Sequence, residues 1–392
     1  MSKKKNETST HSEVVAKSNR DDLLVGLAEH LNKASKDGVP CASFLDEAEN
    51  PASIKDWIST GNSLLDLAIS NRPNGGLPVG RMVELTGLEG TGKSLLAAHI
   101  CANTQKVGGK AIMIDVENAS APDFWKSLGV DMGALMYVQK DTVEDIFDTI
   151  EASIAYIRKN QKDTLVTIIV DSVAAASTRQ EMESDHGKDG YNTGKAIIVS
   201  KAMRKVTNMI GRQNILIVFT NQLRMNLNAM AFGDKYVVSG GKSLAYACSV
   251  RVRLNNMGKL KDGSDKIIGN KCKAQVIKNR MGPPHREAEF DIYYDSGIAD
   301  YASWLKVMKE EGIVEQKAAY YSFKNLVKNE SSNGQNFQSK DFVSMMNDNP
   351  GLKQEVYEKI CDAVIMKYKD PNSIIREDVE VADGGDGTDS ED

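Results

Sequence analysis

Short apolar runs recur through the middle of the chain, and between them apolar residues return at helical spacing. Residues 82–85, 111–115, 165–170 and 215–219 are near-continuous apolar runs, the pattern of strands covered on both faces of a parallel sheet. The segment 143–157 is helical by period: Val143, Ile146, Phe147, Ile150, Ile154 and Ile157 form one stripe, and Thr142 with Asp145 makes a capping pair at its start. Further runs at 249–254, 274–277 and 289–293 lie closer together, which predicts antiparallel neighbours. The sum is an α/β fold with a mostly parallel central sheet.

The flanks read differently. Residues 1 to about 18 are polar and predict disorder. Asp21 or Asp22 then caps a short helix striped by Leu24, Leu27, Ala28 and Leu31. So short a helix needs a surface to pack on. With a short strand expected at 41–45, residues 1–55 read as a tail plus an arm that docks on a neighbour or on its own core. The core is expected over 56–300. Beyond Asp300 the spacing is helical, with a polar loop near 329–338, and 301–375 reads as a small α+β C-terminal domain. No fixed-period repeat is present.

Composition narrows the class. The chain has 392 residues, 41% hydrophobic and 26% charged, as in ordinary globular proteins of one principal domain with appendages or of two. Five scattered cysteines without a CxxC pair suit reduced thiols better than a disulfide framework. No apolar run reaches the roughly 18 to 20 residues of a membrane helix, and the first residues contain no secretion signal, so a cytoplasmic protein is expected. The net charge of -5 conceals an asymmetry: residues 376–392 hold eight acidic side chains and only Arg376 as a base. The rest of the chain is therefore positive. Such an acidic segment with glycine and serine is expected to be disordered, whether as a solubilising tail or as a regulatory one.

The chemistry centres on Gly87-Leu88-Glu89-Gly90-Thr91-Gly92-Lys93-Ser94, which fits G-x-x-x-x-G-K-[ST] directly after an apolar strand and before a helix over 94–107. Glycines let the loop curl with its N–H groups inward, the helix N-terminus adds positive potential, Lys93 reaches the outer phosphates, and Ser94 is placed to hold Mg2+. The alternative, a glycine-rich turn without a ligand, does not need that strand–loop–helix context. Asp171, closing the run 165–170, is placed to meet the metal, although a strand-end cap is also compatible with its position. Glu117, just past the run 111–115, is a candidate to orient and deprotonate water.

These segments, with others, resemble the RecA recombinase family of bacteria and phages over about 22–367. The matches are Ile58-Ser59-Thr60-Gly61, Leu65-Asp66, Gly75-Gly76-Leu77-Pro78-Val79-Gly80-Arg81, the phosphate loop, Ile114-Asp115-Val116-Glu117 and Leu128-Gly129-Val130-Asp131. They continue with Val170-Asp171-Ser172-Val173-Ala174-Ala175, Ala202-Met203-Arg204-Lys205, Asn221-Gln222-Leu223-Arg224-Met225, Gly240-Gly241, Ser249-Val250-Arg251 and Val276-Ile277-Lys278-Asn279. The resemblance implies a RecA-like nucleotidase core that polymerises on single-stranded DNA, binds ATP and Mg2+ between adjacent subunits, and pairs the strand with homologous duplex for exchange. It implies that Glu117 activates water, that Gln222 senses the γ-phosphate, and that Phe124 lies against the adenine. Lys278 and Arg280 would reach the γ-phosphate held by the next subunit, and the arm would dock on the adjacent core. Further partners implied are single-strand-binding and loading proteins.

Two loops would face DNA. The first, 179–194, leads into a helix carrying Ser200 and Arg204. The second, 224–242, contains Arg224, Met225, Leu227, Met230 and Phe232 and ends in Gly240, Gly241 and Lys242. Taken alone both read as surface loops. Their chemistry nevertheless suits phosphate contacts from Ser200, Arg204, Gly240, Gly241 and Lys242, with Leu227 as an apolar wedge between bases. Three positions depart from the family's usual residues: Ala121 near the adenine, Ile197 on the DNA side with Lys195 close by, and Arg280 where lysine is common. Two other functions use the same nucleotide site, a helicase or branch-migration motor and a nucleotide-gated structural filament. A zinc finger or second phosphate loop would favour the former and is absent from the sequence. Glu117, Lys278 and Arg280 argue against the latter.

Overall fold

The computed structural model describes residues 20–35, 41–46, 53–117, 122–161, 163–183, 191–211, 213–225, 236–238 and 242–368. The polar N-terminus and the acidic C-terminal segment thus lie outside the described residues. The chain forms two compact units, 1–54 and 55–392.

In the first unit, α1 (Asp22–Ala34) is capped by Asp21, whose carboxylate accepts from the amides of Leu23 and Leu24. The leucine stripe is present, and Leu24, Leu27 and Leu31 on it are all exposed. The strand expected at 41–45 is not formed. The Asn32 side chain instead accepts from the amides of Cys41 and Ala42 and donates to the Ala42 carbonyl, so a side chain takes the groups a neighbouring strand would pair.

The second unit begins with β1 (Trp57–Ile58), α2 (Ser63–Ser70) and β2 (Leu77–Pro78), followed by β3 (Met82–Gly87), α3 (Lys93–Lys106), β4 (Lys110–Asp115), α4 (Pro122–Ser127), β5 (Leu135–Gln139) and α5 (Val143–Asn160). Next come β6 (Val166–Asp171), α6 (Arg179–Glu183), α7 (Tyr191–Ile210), β7 (Ile215–Met225), β8 (Tyr236–Val238) and α8 (Lys242–Ala247). The strands β9 (Val250–Lys261), β10 (Ile267–Asn279), β11 (Glu287–Tyr293) and β12 (Gly297–Ala299) complete one sheet in the order β12-β11-β10-β9-β3-β7-β6-β4-β5, with β8 on β7. From β5 to β9 its neighbours run parallel, and from β9 to β12 antiparallel. This is the predicted α/β architecture.

The sequence pattern explains the layers. β3 and β6 are buried at every position, as strands with helices on both faces must be. One face packs on α2 and α3, the other on α5 and α7. In α5 the predicted stripe faces the core, and the Thr142 hydroxyl accepts from the Asp145 amide while donating to its carboxylate. Glu84, fully buried at the sheet centre, accepts from Asn221 on β7 and pairs with Arg251 on β9, so its charge does not stand alone in the interior.

After β12 come α9 (Asp300–Glu310), β13 (Val314–Lys317), β14 (Tyr320–Phe323), β15 (Asn336–Gln338), α10 (Ser339–Asp348) and α11 (Pro350–Val364). The last three strands form a separate antiparallel sheet, whose Phe323 and Phe337 pack with Phe342 of α10. These residues share one apolar cluster with α2 and α3. The join is polar beneath: the Asp300 carboxylate accepts from the Ser63 amide and hydroxyl, and the buried Asp66 carboxylate from Ser59 and Thr60.

Burial raises the Asp66 acid from 3.8 to about 7, against the hydrogen bonds from Ser59 and Thr60 and with a contribution from Asp300. The folded state therefore holds this proton more tightly than the unfolded chain does. Its contribution to stability is fully present below about pH 4 and is lost as the pH rises through about 7. With Asp66→Asn that slope is expected to disappear, so the Tm of the native chain relative to the variant falls from pH 4 to pH 7. Melts giving a constant difference would show that Asp66 stays ionised throughout.

Candidate nucleotide site

The parallel strands bring their C-terminal ends to one edge. Register sets Gly87 of β3 level with Gln222 of β7, and Asp115 of β4 level with Asp171 of β6. That edge is where open α/β sheets bind ligands. Gly87 is followed by the loop 88–92, in which Gly90 and Gly92 have φ of 71° and 94°, values that suit glycine. At Gly87 a Cβ would meet the Thr91 hydroxyl and lie 2.8 Å from the Leu254 carbonyl, so the tight turn excludes a side chain. Thr91 closes it by donating to the Leu88 carbonyl at 2.8 Å.

A cleft of about 310 Å3 opens over this loop. Of the residues singled out from sequence, Glu89, Gly90, Gly92, Lys93, Ser94, Glu117, Phe124, Asp171 and Gln222 line it. Leu88 is exposed at the loop's tip, while Gly87 and Thr91 are buried beneath it. The Lys93 ammonium donates to the carbonyls of Gly87 and Leu88 at 3.0 and 2.8 Å. Burial lowers its pKa, opposed by the carboxylates of Asp171, Glu117 and Glu89. Asp171 is pushed up by burial, against hydrogen bonds from Ser94 and Thr220 and together with the charges of Glu117 and Asp115. These carboxylates outnumber the one lysine, and the surplus negative charge suits a divalent cation.

The donor set fits Mg2+. Ser94 and Asp171 are joined side chain to side chain, which provides hard oxygen ligands of the kind Mg2+ combines with phosphates and water. Among the described residues no group of three or more His, Cys, Asp or Glu side chains is placed to hold a metal ion.

Glu117 stands at the cleft on the turn after β4. Its Oε1 accepts from the Ser172 hydroxyl at 2.7 Å and from the Gln222 amide at 3.3 Å. Asp115 secures the turn: one carboxylate oxygen accepts from the Glu117 amide and the other from the Tyr137 hydroxyl.

Asn270, Ile292 and Tyr294 also line the cleft, with the Tyr294 hydroxyl donating to Asn270 at 3.1 Å. Sequence reasoning did not single them out. They come from β10, β11 and the residue after it, and no local motif links them to a loop some 180 residues earlier. The only available signal was an aromatic residue at the end of a predicted strand.

Lys278 and Arg280 are not brought to this cleft. Lys278 is level with Arg251, itself level with Glu84 near the start of β3, whereas Asn270 reaches the cleft on the same strand. Eight residues of strand separate the two, roughly 26 Å. There the Lys278 ammonium donates to the carbonyls of Ala245 and Tyr246, and Arg280 to that of Tyr246, at the end of α8.

Of the residues expected to contact DNA, Ser200 and Arg204 lie one turn apart on α7, with Arg204 donating to Ser200 at 3.4 Å. This helix starts at Tyr191, so Gly194 lies inside it and not before it. Arg224 and Met225 end β7, and Lys242 opens α8. Leu227, Met230, Phe232, Gly240 and Gly241 lie outside the described residues, as does Ala121. Lys195 does not stand free beside the exposed Ile197: its ammonium is tied to the carbonyls of Ala174 and Ala176.

Among the described residues no helix is long and apolar enough to cross a membrane. Residues 40–299 match the family model described as the RecA N-terminal domain. Protein RecA of Allochromatium vinosum is 37% identical over 311 residues, 79% of this chain and 84% of that protein. Protein RecA of Paracoccus denitrificans is 37% identical over 276 residues, covering 70% and 74% of the two chains. That of Streptomyces venezuelae is 34% identical over 316 residues, covering 80% and 78%.

Proposed function

The chain belongs to the RecA family of recombination and repair proteins, and from that premise we propose that it is a DNA-dependent ATPase forming helical filaments on single-stranded DNA in the cytoplasm. In this reading the filament pairs its strand with homologous duplex and exchanges the two. ATP lies between protomers. The loop 87–94 of one protomer cradles the triphosphate, Phe124 lies against the base, and Glu117 orients and deprotonates the attacking water. Ser94 and Asp171 would hold Mg2+, which supplies positive charge at the outer phosphates.

The observation that carries the reading is the register that places Asn270 at the cleft and Lys278, eight positions along β10, level with Glu84 near the start of β3, a separation of roughly 26 Å at the usual rise of a strand. Two cations at the other edge of the sheet lie too far from the phosphate loop of their own chain to serve it; in this reading they exchange their carbonyl partners at the end of α8 for a neighbour's phosphate. Gln222, hydrogen-bonded to Glu117 and two residues from Arg224, links the nucleotide cleft to the segment expected to touch DNA. Ser200, Arg204, Arg224 and Lys242, with Met225, Leu227, Gly240 and Gly241, are assigned to that DNA contact, in which protein holds phosphates and base pairing reads sequence.

The purified chain, given ATP, Mg2+, circular single-stranded DNA and homologous linear duplex, is expected to form helical filaments by electron microscopy and joint molecules on gels. Rings with directional unwinding would assign it to the motors. Filaments that never yield joint molecules would make it a structural polymer whose strand exchange happens elsewhere.

A further inference from the structure

We infer that Ser172 is the positioning residue that sets the Glu117 carboxylate for catalysis, an inference that rests on the reading of Glu117 as the group that activates water. Glu117 is exposed at the cleft, and a long carboxylate side chain in that setting samples several rotamers unless something holds it. Ser172 provides a fixed point. It is 1% exposed, directly follows the last residue of β6, and places its hydroxyl 2.7 Å from Glu117 Oε1.

The other donor on that oxygen is weaker. Gln222 reaches the same Oε1 at 3.3 Å from a partly exposed position on β7, near the limit of a useful hydrogen bond. Both donors converge on Oε1, and Glu117 itself lines the cleft, so Oε2 is the oxygen left to meet a water there. A carboxylate held by one oxygen presents the other in a defined direction, as a base that must meet a single water requires.

The main chain is held independently. Asp115 accepts from the Glu117 amide and from Tyr137, and the Val116 amide donates to the Asp171 carbonyl. The turn therefore stays in place whether or not Ser172 carries a hydroxyl. Ser172 acts on the direction of the carboxylate, and its loss is expected to alter the rate of the chemical step and not the assembly of the site.

Ser172→Ala removes one oxygen and adds nothing that must be packed, so the variant is expected to fold with Tm close to that of the native chain. In single-stranded DNA-stimulated phosphate release, its kcat is expected to fall between about tenfold and a hundredfold. Its KM for ATP and its half-saturating Mg2+ concentration are expected to stay within about twofold. A kcat within about twofold of the native value overturns the inference. A fall in ATP or Mg2+ affinity that accounts for the lost rate also overturns it, because Ser172 would then serve the phosphates or the metal. Glu117→Gln, assayed in parallel, tests the premise by itself: retained turnover there removes the role of Glu117, whereas lost turnover there beside a fully active Ser172→Ala removes only the role of Ser172.

Discussion

Chains carrying Lys93→Ala and chains carrying Lys278→Ala together with Arg280→Ala are each expected to lose ATP turnover, and an equimolar mixture is expected to recover part of it. Loss of Lys93 removes the cation of the phosphate loop, where its ammonium already lies against the loop carbonyls. If the site is shared, loss of the other pair removes charge stabilisation supplied from a neighbour, which is worth about 10³- to 10⁵-fold in rate in comparable phosphoryl-transfer sites. The two lesions lie at opposite ends of the sheet, so a Lys93→Ala chain still offers intact cations and the double variant still offers an intact cradle. With random mixing, about one interface in four pairs an intact cradle with intact cations. Phosphate release on single-stranded DNA, compared across the two proteins and the mixture, is the measurement. Mixed filaments that form but stay inactive would reject a shared site.

The second large effect is expected from Glu117→Gln. The substitution keeps the length and shape of the side chain, and the amide oxygen can still accept from Ser172, so the cleft is preserved while the base is lost. Removal of a general base typically costs 10² to 10⁴ in rate, and turnover is expected to fall by about that much. ATP affinity and filament formation are expected to stay within a few-fold, since Lys93, Ser94 and Asp171 are untouched. Single-turnover phosphate release beside nucleotide binding separates the two quantities. If release persists within about tenfold of the native rate, another group activates the water.

Most of the parallel sheet is legible in the sequence because its strands are buried on both faces. Met82 through Leu85 and Leu165 through Val170 are written almost wholly in residues that water rejects. Edge and hairpin strands carry no such signal. β5 leaves Met136 and Tyr137 exposed, and the outer halves of β9 and β10, with Asn255, Lys259, Lys261 and Lys271, are polar because ladder hydrogen bonds hold them together without a core to bury. The short strands β13 to β15 hide because, at 4, 4 and 3 residues, they are too short to show an alternating pattern. The site divides likewise. The loop, Asp171 and Glu117 follow from local motifs, since a phosphate cradle is built from consecutive backbone groups. Asn270 and Tyr294 arrive by tertiary folding and have no local signature, and the arm at 41–45 misleads because Asn32 satisfies amides that a strand would otherwise pair.

The opposite ends of β10 also set the arithmetic of growth. If each protomer offers a socket at one edge and a plug at the other, the contact is head-to-tail and does not close on itself. The first unit in a row then has an idle socket or an idle plug, and the last has the converse. A lone molecule would then burn nothing. Fuel use per protomer should rise with the length of the row and level off once the two idle ends become a negligible share, so consumption becomes a gauge of how far a row has grown.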